Sequence, residues 1–102
     1  MKCPVDMTEY FPMKVRSTAD VRKLASAIYF NLQQKGKIAL ITVGAGPTQQ
    51  AMKAVSVSNL RFIENKSSKR VTCTPYMHDV MGNEGTKVTA MSILCEVIEL
   101  PQ

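Results

Sequence analysis

The feature that most constrains this sequence is a nearly continuous apolar run, Ile38–Val43, that stops at Gly44-Ala45-Gly46-Pro47. Aliphatic side chains without polar alternation are typical of a strand buried on both faces at the centre of a sheet. The glycines break the strand, and Pro47 suits the first turn of a helix, where its missing N–H costs nothing. The segment therefore predicts a central strand followed directly by a helix.

A strand and a helix are predicted before this run. Met13–Arg16 alternates apolar and basic residues, which is the period of a strand with one solvent face. Ser17 is predicted to cap the following helix, with Asp20 three positions later as in a variant capping box. Gly36 is positioned to end that helix in a left-handed conformation. The predicted buried stripe of the helix comprises Val21, Leu24, Ala25, Ile28 and Leu32.

The rest of the chain predicts a helix and a hairpin. The helix is expected from Thr48 to about Ile63, and Val71–Met77 is expected to be a third strand. Lys87–Leu100 is the longest strand-like run, and the turn signal at Gly82–Gly85 joins the two strands. The order β-α-β-α-β-β predicts an α/β two-layer sandwich, with a four-stranded mixed sheet and both helices on one face. The other face is then either solvated or buried in a partner.

Length and composition limit the chain to one small domain. Its 102 residues, 45% apolar and 21% charged, leave no room for a separate catalytic domain and exclude a disordered chain. Residues 1–12 are interpreted as an N-terminal extension and residues 13–100 as the domain. No apolar stretch approaches the roughly 20 residues of a membrane-spanning helix, and no signal-peptide core is evident. We expect an intracellular protein, cytoplasmic or, if the source is eukaryotic, nuclear.

Disulfide, metal and catalytic chemistry are not indicated. Cys3, Cys73 and Cys95 are odd in number and widely separated, and His78 is the only histidine, which is too few ligands for a zinc site. The cysteines are expected to be reduced and structural. His78 has no evident nucleophile nearby in sequence, and the carboxylates form no cluster. We therefore expect no enzyme, no metal and no cofactor.

The glycine turn has the clearest ligand chemistry. Backbone N–H groups at a glycine-rich helix start can approach an anion, so phosphate is the expected ligand. Gln49 stands where a dinucleotide fingerprint needs its third glycine, and no Walker lysine-hydroxyl pair follows. A purely structural turn that requires positive φ is one alternative, and a site for a small phosphorylated ligand is another. The net charge of +5 is compatible with a polyanionic partner.

Several short motifs together resemble the stage V sporulation protein S family of small Alba-like proteins. The resemblance covers about residues 14–99 and is strongest at Gly44-Ala45-Gly46, Gln50-Ala51 and Lys53-Ala54-Val55; Lys14-Val15, Cys73, Pro75 and Asp79 also match. It implies an Alba-like fold, dimers or higher oligomers, and binding of DNA or RNA. The residues that match family positions near the implied interface are Lys14, Gly44, Gly46, Gln50 and Lys53. The last hairpin, Asp79–Gly85, departs from this pattern because it is acidic.

The sequence thus predicts a non-enzymatic nucleic-acid-binding protein that contacts phosphates with little base specificity. Its expected partners are DNA or RNA and further copies of the chain, as a homodimer or higher homo-oligomer, with no membrane. The alternative is a homo-oligomeric protein-interaction or regulatory domain without nucleic-acid binding. The predicted nucleic-acid-binding residues are Lys14, Arg16, Gly44, Gly46, Gln50, Lys53, Lys69 and Arg70.

Overall fold

The computed structural model describes residues 5–101, which form a four-stranded mixed sheet and two helices. The elements in chain order are β1 (Phe11–Lys14), α1 (Val21–Lys35), β2 (Lys37–Thr42), α2 (Ala45–Glu64), β3 (Lys69–Met81) and β4 (Lys87–Glu99). The strands lie in the order β1-β2-β4-β3, with β1 parallel to β2 and the other pairs antiparallel. This confirms the predicted β-α-β-α-β-β order and the mixed sheet.

The first strand lies two residues earlier than predicted. It pairs Phe11 with Ile38 and Lys14 with Ile41, and the ladder closes with the Val15 N–H donating to the Ile41 carbonyl at 3.0 Å. Pro12 is tolerated inside β1 because an edge strand does not need every N–H for pairing. Strand β2 is central as predicted, since Ile38, which faces the helices, and Ala39, which faces away from them, are at most 1% exposed.

The start of α1 corrects one prediction. The cap is Asp20, not Ser17: Asp20 has an extended backbone, and its Oδ1 accepts the Lys23 N–H at 3.0 Å. A carboxylate at this position reaches the third helical N–H directly, so the capping box is not needed. Ser17 instead lies inside a turn that the Ala19 N–H closes by donating to the Arg16 carbonyl at 3.0 Å. Gly36 ends the helix at φ 83°, as predicted.

The second helix begins at Ala45, three residues before the predicted start. The chain breaks only at Gly44, so Gly46 and Pro47 already lie in the first turn. Small residues let α2 approach α1, and the Ser58 hydroxyl donates to the Ala25 carbonyl at 3.2 Å. The core that both helices share with one face of the sheet includes Ala25, Ile28, Leu32, Ile38, Leu40, Ala51, Ala54, Val55, Phe62, Ile93 and Cys95.

The last two strands form a hairpin of 13 residues on each side, longer than predicted for β3. β4 supplies a pairing partner along its whole length, from Lys87 opposite Met81 to Glu99 opposite Lys69, so β3 extends at both ends. Pro75 is accommodated because β3 is the other edge of the sheet. The hairpin runs well beyond the end of β2, which pairs with β4 only as far as Met91.

The sheet face opposite the helices is buried at its centre. Leu94, Ser92 and His78 on this face are at most 7% exposed, although both helices lie on the other side. At the edge of this face, Lys37 Nζ lies 3.2 Å from a Glu9 carboxylate oxygen, within the segment that precedes β1. The segment 1–12, interpreted as an extension, therefore contacts the domain at Glu9, while Cys3 lies outside the described residues.

Candidate nucleic-acid interface

The β1–α1 loop and the start of α2 meet at one end of the sheet. Strands β1 and β2 are parallel, so the segments that leave their carboxyl ends emerge side by side. Between them lies a groove of about 430 Å³, here called the turn-end groove. The residues that line it are Lys14, Val15, Arg16, Ser17, Ile41, Val43 and Pro47.

Gly44 sets the direction in which α2 leaves the sheet. Its φ of 92° and ψ of 171° lie in a region that is essentially restricted to glycine. No side chain caps this helix, so the N–H groups of Ala45 and Gly46 have no acceptor within the described chain. Thr48 fixes the turn, because its hydroxyl donates to the Gly44 carbonyl at 2.9 Å. The exposed N–H groups and the helix dipole together favour an anion at this point.

Two contacts hold the β1–α1 loop against α2. A Cβ at Gly46 would lie 3.2 Å from Ser17 Cβ, so the glycine allows close approach and its own φ is not positive. Gln50 Nε2 donates to the Ala19 carbonyl at 2.8 Å. Gln50, predicted as a binding residue, therefore supports the loop that follows Arg16, and its amide is already engaged within the fold.

Two of the predicted cations lie in the turn-end groove. Lys14 and Arg16 are exposed, and neither forms an ion pair within residues 5–101. Lys53 is also exposed and lies eight residues into α2, about 12 Å along the helix axis from its first residue. The structure thus brings Lys14 and Arg16 together in the turn-end groove and places Gly46 against Ser17 in its wall. Gly44 does not line this groove, and Lys53 lies about two turns into α2.

Lys69 and Arg70 lie at the opposite end of the sheet. Met91 of β4 pairs with Thr42, the last residue of β2, on one side and with Met77 of β3 on the other, so Met77 marks the turn end on β3. Lys69 lies eight residues before Met77 on the same strand. This separation is about 26 Å along the strand. Arg70 also donates from Nη1 to the carbonyls of Ser67 and Lys69, at 3.0 and 2.7 Å. The structure does not bring these two residues into the turn-end groove.

The hairpin tip projects beyond the turn end of the sheet. β3 continues four residues past Met77, about 13 Å, before the turn at Asn83–Gly85. The tip carries Glu84 at φ 66°, and it lies at the β3 edge of the sheet, away from β1. The acidic hairpin and the basic groove therefore occupy opposite edges of the sheet at the same end.

A second groove at this end was missed in the sequence. It has a volume of about 590 Å³ and lies on the hairpin side of α2; we call it the methionine groove. Met52 and Met77 in its walls are 44% and 55% exposed. Met52 lies outside the buried positions of α2, and an apolar side chain on the exposed side of a helix could have indicated this groove from the sequence. The full lining is Thr42, Gly44, Ala45, Thr48, Gln49, Met52, Met77, Thr89, Ala90 and Met91.

A buried histidine–serine pair was also not evident in the sequence. His78 Nε2 and Ser92 Oγ are 2.6 Å apart across β3 and β4. Ser92 is fully buried and His78 is 7% exposed, so no substrate can reach the hydroxyl in this conformation. The pair satisfies two polar groups in the sheet.

No group of three or more His, Cys, Asp or Glu side chains within residues 5–101 is arranged to hold a metal ion. In the same part of the chain, neither helix combines the length and the apolar character needed to cross a membrane.

Comparison with known proteins agrees with this architecture. The family model described as stage V sporulation protein S (SpoVS) matches residues 12–98. A solved structure, Alba from Thermoplasma volcanium, is similar with a TM-score of 0.56 and 14% identity over 83% of this chain and 98% of that chain. No curated protein sequence matches. At this identity the Alba likeness concerns the fold alone.

Proposed function

Because the chain belongs to the stage V sporulation protein S family, we propose that it is a non-enzymatic protein that binds DNA or RNA along the phosphate backbone. The observation that carries this proposal is the turn-end groove, which two exposed cations, Lys14 and Arg16, line together with Pro47 from the first turn of the uncapped helix α2. The Alba-like fold supports it further. We also propose that the protein works as a homodimer or higher oligomer, in the cytoplasm or a eukaryotic nucleus.

Two kinds of phosphate contact are available at this end of the sheet, one in the groove and one at the start of α2 beside it. The guanidinium of Arg16 can take a phosphate through two parallel N–H bonds, while Lys14 acts as a point charge beside it. The N–H groups of Ala45 and Gly46 supply uncharged donors for a neighbouring phosphate. All these donors address the backbone of the nucleic acid, so the proposed binding has little base specificity.

The other predicted cations, Lys53, Lys69 and Arg70, lie outside the groove. Lys53 is an outer contact on the exposed side of α2, whereas Lys69 and Arg70 lie about 26 Å from the groove along the sheet. Base pairs are spaced about 3.4 Å along duplex DNA, so only a duplex longer than roughly eight pairs could reach both ends. We therefore do not include Lys69 and Arg70 among the residues that contact the same short stretch of nucleic acid as Lys14 and Arg16.

The test is a binding titration with fluorescently labelled duplex DNA, duplex RNA and single strands, read by anisotropy at several salt concentrations. We expect binding at low salt that weakens steeply as salt rises, since phosphate contacts release counterions. Scrambled sequences of equal length should bind equally well. Absence of binding to every probe at low salt would rule out the proposal.

One observation favours the alternative of a protein-interaction domain. The methionine groove is largely apolar, and exposed methionines are adaptable contacts for protein partners. This alternative predicts an oligomer that persists at high salt and shows no mobility shift of nucleic acid. Light scattering over a salt series, on the same samples as the titration, separates the two functions.

A further inference from the structure

Two cysteine thiols lie side by side in the last hairpin. Cys73 of β3 is directly opposite Cys95 of β4, and their Sγ atoms are 3.6 Å apart. Both are free thiols. Directly paired residues of antiparallel strands have Cβ atoms about 4.5–5.5 Å apart, slightly more than the roughly 3.5–4.5 Å that a disulfide spans. The pair is therefore positioned for a cross-strand bond that needs only local adjustment.

The two thiols differ in access and acidity. Cys73 is partly exposed on the edge strand, whereas Cys95 is fully buried in the core between β2 and β3. The hydrogen bond from Cys95 lowers the pKa of the Cys73 thiol, and that same contact, together with burial, raises the pKa of Cys95. A reagent from solution therefore meets Cys73 first, with Cys95 directly behind it.

We propose that Cys73 and Cys95 form a redox-active dithiol that hydroperoxides convert to a reversible disulfide. The Cys73 thiolate attacks the distal peroxide oxygen, the O–O bond breaks, and the alkoxide leaves and takes a proton, which gives an alcohol and a sulfenic acid. The Cys95 sulfur then attacks the Cys73 sulfur, and hydroxide leaves as water with the Cys95 proton. The dithiol loses two electrons and two protons overall, and the peroxide is reduced to alcohol and water.

The arrangement makes Cys95 the resolving thiol. Its S–H lies near both the Cys73 sulfur and the Ile93 carbonyl, each at 3.6 Å, so it is held next to the atom it must attack. A sulfenic acid beside such a thiol condenses to a disulfide before a second peroxide oxidises it further. Excess dithiothreitol then restores the two thiols by exchange. This proposal is independent of nucleic-acid binding.

The test uses the full chain with Cys3→Ser, which leaves only these two thiols. After treatment of the native protein with hydrogen peroxide, we expect a mass loss of two hydrogens and a non-reduced peptide pair that joins Cys73 to Cys95. Dithiothreitol should return the original mass. Retention of both thiols, or conversion of Cys73 to sulfinic acid while Cys95 stays free, would overturn the proposal.

Two further variants in the same background separate the roles. In Cys95→Ala, we expect Cys73 to accumulate as a sulfenic acid that dimedone traps, whereas the Cys3→Ser parent traps little. In Cys73→Ala, Cys95 should remain a thiol unless the protein is denatured, because solvent does not reach it. Equal oxidation of Cys95 with and without Cys73 would contradict the assigned order. Circular dichroism checks that each variant is folded, and the linked peptide requires neither variant.

Discussion

The two ends of the sheet use their basic residues differently. At the turn end, Lys14 and Arg16 are exposed beside the uncapped start of α2 and form no ion pair within the described chain. At the opposite end, Lys37 lies 3.2 Å from Glu9 and 3.4 Å from Glu96. The net charge of +5 is therefore less informative than the location of the cations that have no internal partner.

The carboxylates around Lys37 also shift its pKa. The hydrogen bond and the attraction from Glu9, with a further contribution from Glu96, raise the pKa of Lys37 above its usual value. The two carboxylates already neutralise this cation within the fold. Arg70 is similarly engaged by the carbonyls of its own loop. A phosphate at Lys37 or Arg70 would therefore compete with existing contacts, whereas at Lys14 and Arg16 it would meet cations that have no ion pair within the described chain.

The largest effect is expected from charge reversal at the turn end. In Lys14→Glu/Arg16→Glu, two phosphate contacts are replaced by repulsion, so we expect affinity for duplex DNA at low salt to fall roughly a hundredfold, or about 2.7 kcal/mol. The matched control is Lys69→Glu/Arg70→Glu, which changes the net charge equally. Anisotropy titrations at one salt concentration compare the two variants.

The control decides whether location matters. If the binding depends only on overall charge, both double variants lose the same affinity, and the distinction between the two ends is wrong. We expect the far-end variant to lose less than about threefold, because only long-range attraction changes there and salt screens it.

The next largest effect concerns the geometry of the turn. Gly44→Ala forces a Cβ into a backbone conformation that glycine alone adopts readily, at a cost of about 1–3 kcal/mol in the free energy of unfolding. Urea denaturation measures the change. Gly46→Ala is the control, because its φ is not positive and its Cβ would meet Ser17 Cβ at 3.2 Å, a contact that a small shift of the β1–α1 loop relieves. A larger loss in Gly46→Ala than in Gly44→Ala would refute this assignment of roles.

A smaller effect is expected at the loop that follows Arg16. Gln50→Ala removes the hydrogen bond to the Ala19 carbonyl, which is worth about 1 kcal/mol of stability. Gln49→Ala, one residue earlier on the exposed side of α2, should change stability by less than about 0.5 kcal/mol. If Gln50 instead contacted nucleic acid directly, its loss would lower affinity without lowering the melting temperature.

Most of the fold could be predicted because its signals are local. The buried centre of β2 at Ile38–Leu40, the left-handed end of α1 at Gly36 and the apolar stripe of α1 are confirmed. Val43, predicted as part of the buried run, lies beyond the end of β2 and is 48% exposed. The errors lie at element ends, where competing groups are close: Asp20 caps α1 in place of Ser17, and α2 starts at Ala45. Which of several adjacent polar residues caps a helix depends on backbone angles that the sequence does not specify.

The site was less predictable because it depends on strand order. Lys69 and Arg70 follow α2 closely in sequence, but α2 runs back along the sheet and delivers them to the end opposite Gly44. Gln50 matched a family position, yet its amide supports a neighbouring loop. Hydrogen-bond partners 31 residues apart in sequence could not be read from local patterns.

The central claim is that phosphate binding is concentrated at the turn end, and the salt dependence of binding tests it most directly. The slope of log K against log salt for duplex DNA changes by about 0.9 for each phosphate that the protein neutralises. We expect Lys14→Glu/Arg16→Glu to reduce the magnitude of that slope by about 1.8, while Lys69→Glu/Arg70→Glu leaves it unchanged. An unchanged slope in the turn-end variant, or an equal reduction in both variants, would contradict the account.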